Sequence, residues 1–254
     1  MESGSAPSLK LISLNIEGGR HIPQVLTFLK KEQPEIICLQ ELFLEDFEMF
    51  KKELDMEGAY APRTKKPHYD EETGIPMSLG VGLLSKHSLQ NIQKLYYSGN
   101  PESIEQIQKG DIHKECGVVL CTTVIKSGVE FTIGTTHFTW TPNGKADNNQ
   151  REDIAKLLHA LGKIEEITLC GDFNAPRGGE IFSELKKKYK DNIPQEYTTS
   201  IDKTLHHAGD LQLMVDGLFT TPSYKTTNVR LVDGISDHMT IMAKIKRTTK
   251  HNIA

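Results

Sequence analysis

An excess of positive charge is missing from this 254-residue chain, in which 30 Lys and Arg stand against 34 Asp and Glu, a formal net charge of −4. Non-specific nucleic-acid binders rely on a basic excess or a basic stripe. Whole-chain charge therefore does not support avid duplex binding, although acidic catalytic residues can mask a local patch. The densest basic run, Lys186-Lys187-Lys188 with Lys190, lies in a helix-like ELKKKYK segment and reads as a solvated helix face. Long apolar runs are also missing. None approaches the roughly 18 residues of a spanning helix. The N-terminal MESGSAPS lacks the basic and apolar stretches of a secretory signal. A cytoplasmic protein without membrane insertion is expected. Cysteine is scarce, at four residues, with no CxxC pair and no Cys/His spacing that suggests zinc. Cys38, Cys116, Cys121 and Cys170 sit in or beside apolar runs, so buried reduced thiols and a reducing compartment are expected. No G-x-S-x-G elbow, G-x-G-x-x-G loop or Walker A fingerprint occurs.

What is present is a folded soluble composition, 37% hydrophobic and 25% charged. There is no internal repeat, low-complexity tract or long linker, and one catalytic domain over residues 8–247 is expected, with flexible termini at 1–7 and 248–254. Runs rich in Val, Ile, Leu and Thr predict strands over Leu9–Ile16, Glu35–Leu39, Ser78–Leu84, Gly117–Ile125, Glu130–Thr136, Ile167–Cys170, Leu213–Phe219 and Thr240–Ile245. Apolar spacing of three and four predicts helices over Ile22–Lys31, Leu44–Leu54, Asn148–Leu161 and Glu180–Lys188. The KSGVE turn after Ile125 reads as a hairpin, so mixed rather than purely parallel sheets are expected.

The most informative residues stand at the ends of these apolar runs. KLISL leads to Asn15, IICLQ to Glu41, FTIGTT to His137, ITLCG to Asp172 and Asn174, and LQLMV to Asp216, while Asp237-His238 precede MTIMAKI. Buried strands fix the residues at their ends, and open α/β sheets bind ligands beyond strand ends. Singly, each residue has an ordinary explanation. Asp and Asn form turns and caps, a Glu favours a helix N-terminus, and one His is more often a satisfied histidine than a catalyst. As a set they offer hard oxygen ligands of the kind Mg²⁺ takes, with two histidines able to donate to a phosphoryl oxygen. Softer ligands for zinc or copper are not grouped here.

At these residues the sequence resembles the endonuclease/exonuclease/phosphatase superfamily, the deoxyribonuclease I-like fold. SLNIEG, CLQE, TTHF, GDFN, VDGLF and SDH occur in the family's order, spanning Leu9 to Ile245. One departure is Leu14, where many members carry Trp before the Asn. The resemblance implies an α/β four-layer sandwich, two mixed β-sheets packed face to face and flanked by helices. It implies Mg²⁺, with Mn²⁺ as a substitute, held by Glu41, Asn15 and Asp237. Asp172 and Asn174 would handle the attacking water, and His137 and His238, the latter oriented by Asp216, would steady the phosphoryl oxygens.

The LNIEGG, LQE and GDFN strings look closest to the branch that includes tyrosyl-DNA phosphodiesterase 2. That implies a phosphodiesterase acting on nucleic acid, of the 5′-tyrosyl-DNA end-processing type, working as a monomer. A phosphodiesterase or phosphatase of a lipid or small phosphorylated metabolite is the alternative, and a non-catalytic binding module the second. Tyr60–Ile75, with Arg63, Lys65, Lys66, His68 and Tyr69, lies where relatives build substrate-contacting loops, and reads either as such a loop or as a mobile surface loop. Trp140, the only Trp, either stacks on substrate or anchors the core, the commoner fate of this residue.

Overall fold

The computed structural model describes residues 6–67, 75–104 and 115–248. The expectations for His68 and Tyr69, and for the termini at 1–5 and 249–254, lie outside the described residues. In chain order the elements are β1 (Ser8–Asn15), α1 (Ile22–Glu32), β2 (Ile36–Phe43), α2 (Leu44–Leu54), β3 (Glu57–Pro67), β4 (Pro76–Ser85) and β5 (Leu89–Ser98). They continue with β6 (Gly117–Lys126), β7 (Val129–His137), α3 (Asn148–Leu161), β8 (Thr168–Asp172), α4 (Glu180–Lys186), β9 (Lys190–Asp191), β10 (Asp216–Thr220), β11 (Tyr224–Val232) and β12 (Thr240–Arg247).

Two six-stranded mixed sheets result, ordered β11-β12-β1-β2-β4-β3 and β5-β6-β7-β8-β10-β9. The strand period of two explains how they stack. Along β1, Leu9 and Leu11 enter the core between the sheets, while Ile12 and Leu14 face α1 and α2. Along β6, Val118 and Leu120 face that same inter-sheet core, while Val119 and Cys121 face α3 and α4. Interior strands are buried on both faces, which is why they read as near-continuous apolar runs. The four cysteines are buried.

Local chemistry sets the element ends. Asp147 caps α3 by accepting from the Gln150 N–H at 2.8 Å. Glu45 and Asp46 open α2 and Lys51 and Lys52 close it, matching the helix dipole. Ser127 and Gly128, both with positive φ, join β6 to β7 as a two-residue hairpin.

Two expectations are corrected, and four strands are added. The strand predicted over Leu213–Phe219 begins only at Asp216, because the backbone of Leu213, Met214 and Val215 is bonded to Ser200, Arg177 and Phe173. The loop expected from Tyr60 is strand as far as Pro67, paired with β4. Strands β3, β5, β9 and β11 carried no clear sequence signal, and all four are sheet edges.

Candidate active site

Most of the predicted site residues meet at one rim of the sandwich, in a cleft of about 790 Å³. A second groove of about 570 Å³, between α3 and α4, holds none of them. Asn15 ends β1 and is 1% exposed. Its Nδ2 donates to Glu41 Oε1 at 3.2 Å and to Asp172 Oδ2 at 3.1 Å. Glu41 does not end its strand. It sits in a bulge of β2 with φ of 51°, a kink of the kind that re-aims a side chain next to a site. Below it, Gln40 Nε2 bonds Thr135 Oγ1 at 2.9 Å and ties β2 to β7 across the two sheets.

His137 ends β7 and Asp172 ends the parallel neighbour β8, in register with it. Gly171 has φ of 143°, and a Cβ there would lie 2.0 Å from the Thr136 carbonyl oxygen. Only glycine lets β8 approach so closely. Asp216 opens β10 rather than ending a strand, and pairs directly opposite Asp172. Its Oδ2 accepts from His238 Nδ1 at 2.7 Å. Asp237 and His238 stand just before β12, which runs antiparallel to β1 as its place in the site requires.

Asp172 Oδ2 is the focus of the cluster, 3.1 Å from Asn15 Nδ2, 3.5 Å from His137 Nε2 and 3.9 Å from His238 Nε2. Burial, opposed by His238 and reinforced by Asp216, pushes the Asp172 carboxyl up to about 7. Its Oδ1 accepts the Asn174 N–H at 2.8 Å. Asn174 Nδ2 donates to the Phe138 carbonyl at 3.0 Å, so this side chain also braces the neighbouring strand.

The two histidines are electrostatic opposites. Burial, then Arg63 and Lys66, hold His137 well below the usual imidazole range. Arg63 Nη1 lies 2.7 Å from His137 Nδ1. A guanidinium can only donate, so Nδ1 accepts, and the ring proton sits on Nε2, facing the carboxylates. At His238 burial disfavours the charge, but Asp216, Asp172 and Asp237 outweigh it and raise the imidazole well above its ordinary value.

Arg63 is placed by a bulge in β3 and is only 4% exposed. Besides His137, it donates Nε to the Cys116 carbonyl at 3.0 Å and pairs with Glu115 at 3.0 Å, which also holds Lys66 at 3.0 Å. Its guanidinium thus braces the site from behind. Trp140 is not a core anchor: it is 47% exposed and lines the cleft. The backbone beneath it is fixed, since the Thr139 carbonyl accepts from Gln150 Nε2 and Thr139 Oγ1 donates to Asp153, both at 2.6 Å.

The donor set suits a hard divalent cation. Burial, opposed by His238 and reinforced by the nearby Glu41 and Glu17 carboxylates, pushes the Asp237 carboxyl up to about 6, so acidic groups are crowded here. No cysteine joins them among the lining residues. Oxygen donors without sulfur fit Mg²⁺ or a similar ion. Asp172, Asp216 and His238 also place ligand atoms within 4.8 Å of one another, a set that could bind a metal ion.

A two-sheet α/β sandwich with carboxylates, amides and paired histidines at one rim defines a class of phosphate-ester hydrolases. The sequence matches the Endonuclease/Exonuclease/phosphatase family over residues 12–238, and the chain belongs to that family. Its members generally act on phosphate esters with a divalent metal. No curated protein sequence matches the chain.

Solved structures share the fold. An endonuclease/exonuclease/phosphatase from Bacteroides vulgatus is 15% identical, with a TM-score of 0.72 over 95% of this chain and 100% of that one. A humanised D. rerio TDP2 is 16% identical, with a TM-score of 0.66 over 94% and 99%. The mannosyl-6-phosphatase Bt3783 of Bacteroides thetaiotaomicron is 14% identical, with a TM-score of 0.66 over 93% and 99%. Identities this low speak for the fold alone, and TDP2 does not stand out among them.

Proposed function

We propose that this protein is a Mg²⁺-dependent phosphodiesterase that hydrolyses a phosphate ester at a nucleic-acid end, of the 5′-tyrosyl-DNA type, by in-line attack of water. The observation that carries the reaction type is the convergence of Asn15, His137 and His238 on one oxygen of Asp172. Asn15, Glu41 and Asp237 would hold the ion, which when bound supplies Lewis-acid polarisation of a phosphate oxygen.

The chain's own residues supply the rest. Asp172, with a carboxyl near 7, accepts the proton of the attacking water as the new P–O bond forms. Asn174 fixes the carboxylate through its N–H. The His137 Nε2–H and the His238 imidazolium donate to equatorial phosphoryl oxygens as charge builds on them, an aid typically worth about 10²–10³ in rate per donor. The ester oxygen leaves with the electrons of the broken P–O bond.

Preference for an end rests on charge. Arg20, Lys66 and Lys156, the cleft cations beside Arg63, each lie within 3.6 Å of a carboxylate, from Glu17, Glu115, and Glu152 with Asp153 respectively. Paired cations make a poor track for a long polyanion, but leave room for one terminal phosphate. The same observation favours a second reading, a lipid or small phosphorylated metabolite. Loss of function in a binding module would be expected to erode the set, and no position of it has been lost.

The test is Mg²⁺-dependent hydrolysis of a 5′-tyrosyl oligonucleotide, an abasic duplex, single-stranded RNA, sphingomyelin and an inositol phosphate, with Asp172→Asn as control. Selective, salt-sensitive cleavage of the tyrosyl oligonucleotide supports the first reading. Cleavage confined to the lipid or inositol phosphate supports the second, and cleavage of none contradicts both.

A further inference from the structure

The Asp216–His238 pair spans the two sheets, since Asp216 opens β10 in one and His238 precedes β12 in the other. A hydrogen bond of 2.7 Å across two separately built layers needs something to fix the layers at that point. The segment between β9 and β10 does this. Ser200 is 0% exposed, and its Oγ accepts the N–H of Val215 and that of Asp216, each at 3.0 Å. Its own N–H donates to the Leu213 carbonyl at 3.1 Å, and its carbonyl accepts the Met239 N–H at 2.7 Å. Ile201 forms an antiparallel bridge with His238 itself. One residue further on, the Asp202 N–H donates to the Asp237 carbonyl at 2.8 Å.

Asp202 secures the other end. Its Oδ2 accepts the Gly234 N–H at 2.6 Å, and its Oδ1 accepts the N–H groups of Thr204 and Leu205 at 2.8 and 3.0 Å. One oxygen of this carboxylate therefore holds the loop that delivers Asp237 and His238, and the other holds the turn that follows Asp202 itself. The hydroxyl of Ser200 holds Asp216 and its carbonyl holds Met239, the residue after His238, with no group of its own in the cleft lining.

We propose that Ser200 is a positioning residue: it sutures the Asp216 end of one sheet to the His238 end of the other and so sets the contact that orients the imidazole. The catalytic part rests on the hydrolase reading above; the geometric part stands without it. An ordinary loop serine would matter for stability alone. A suture matters for the pair it aligns, because a misplacement of about 1 Å at a reacting group costs about 10²-fold in rate.

The experiment reads the low-field proton resonance of the His238 Nδ1–H bonded to Asp216, assigned by its loss in His238→Gln. Parent, Ser200→Ala and Ser200→Thr are compared without substrate, with folding followed by circular dichroism. Ser200→Ala is expected to move or broaden the resonance, and Ser200→Thr, which keeps the acceptor oxygen, to retain it. On whichever ester the parent cleaves, Ser200→Ala is expected to lower kcat about 10–100-fold with KM little changed. If Ser200→Ala does not fold, Asp202→Ala poses the same question from the other anchor, and a weakened resonance supports the suture. An unmoved resonance in the folded variant overturns the proposal, whatever the panel of esters shows.

Discussion

His137 and His238 are each 7% exposed and face the same carboxylate from different sheets, yet their surroundings shift them in opposite directions. Behind His137 is a guanidinium, Arg63, which donates to Nδ1 and adds a repelling positive charge. Behind His238 is a carboxylate, Asp216, which accepts from Nδ1 and holds a proton on the ring. Exposure is equal, so the difference comes from the charges around each ring, Arg63 and Lys66 at His137 against Asp216, Asp172 and Asp237 at His238. One side of the cleft then presents a neutral donor and the other a cation. Asp172 between them is set near 7 instead of being locked into an ion pair with two imidazoliums.

That contrast can be broken at several points. Asp172→Asn removes the group both histidines face, and turnover is expected to fall at least about 10³-fold while Mg²⁺ binding by calorimetry persists. Retention of more than a few per cent activity would contradict the role. Asp216→Ala strips the cationic side of its partner. Activity should drop about 10²-fold, and the alkaline limb of the pH–rate profile should move to lower pH as His238 loses its proton more easily.

In the unsubstituted protein, the base role proposed for Asp172 predicts that it sets the acid limb. Because its carboxyl is raised to about 7, the rate should climb as pH rises through that value and the base is freed, then fall only when His238 deprotonates well above 6.5. Arg63→Lys keeps charge on the neutral side but cannot reproduce the fork that reaches His137, Cys116 and Glu115, and a loss of about tenfold is expected. Trp140→Ala lies farthest from the contrast. It should raise KM about tenfold if the exposed ring stacks on substrate, with kcat nearly unchanged.

How much of this was legible in the sequence depends on where each residue sits. Interior strands such as β1, β2 and β6 announce themselves because both faces are buried. Edge strands do not: β5 and β11 alternate mostly exposed residues, such as Gln90–Lys94, with few apolar ones. The site residues were readable because short motifs mark the strand rims. Glu41 and Asp216 lie at the same rim as the other motif residues but in a local geometry the motifs did not announce, one in a bulge and one at a strand start. Arg63 and Ser200 left no signal of their roles, since their partners lie 74 and 16 residues away in sequence and meet them only through the packing of two sheets.

The division between the histidines is best put to the test by ¹⁵N NMR of histidine-labelled protein across pH 5–9. At pH 7 both nitrogens of His238 should be protonated, and His137 should be neutral with its proton on Nε2. Finding His137 cationic, or His238 neutral, at that pH would contradict the division.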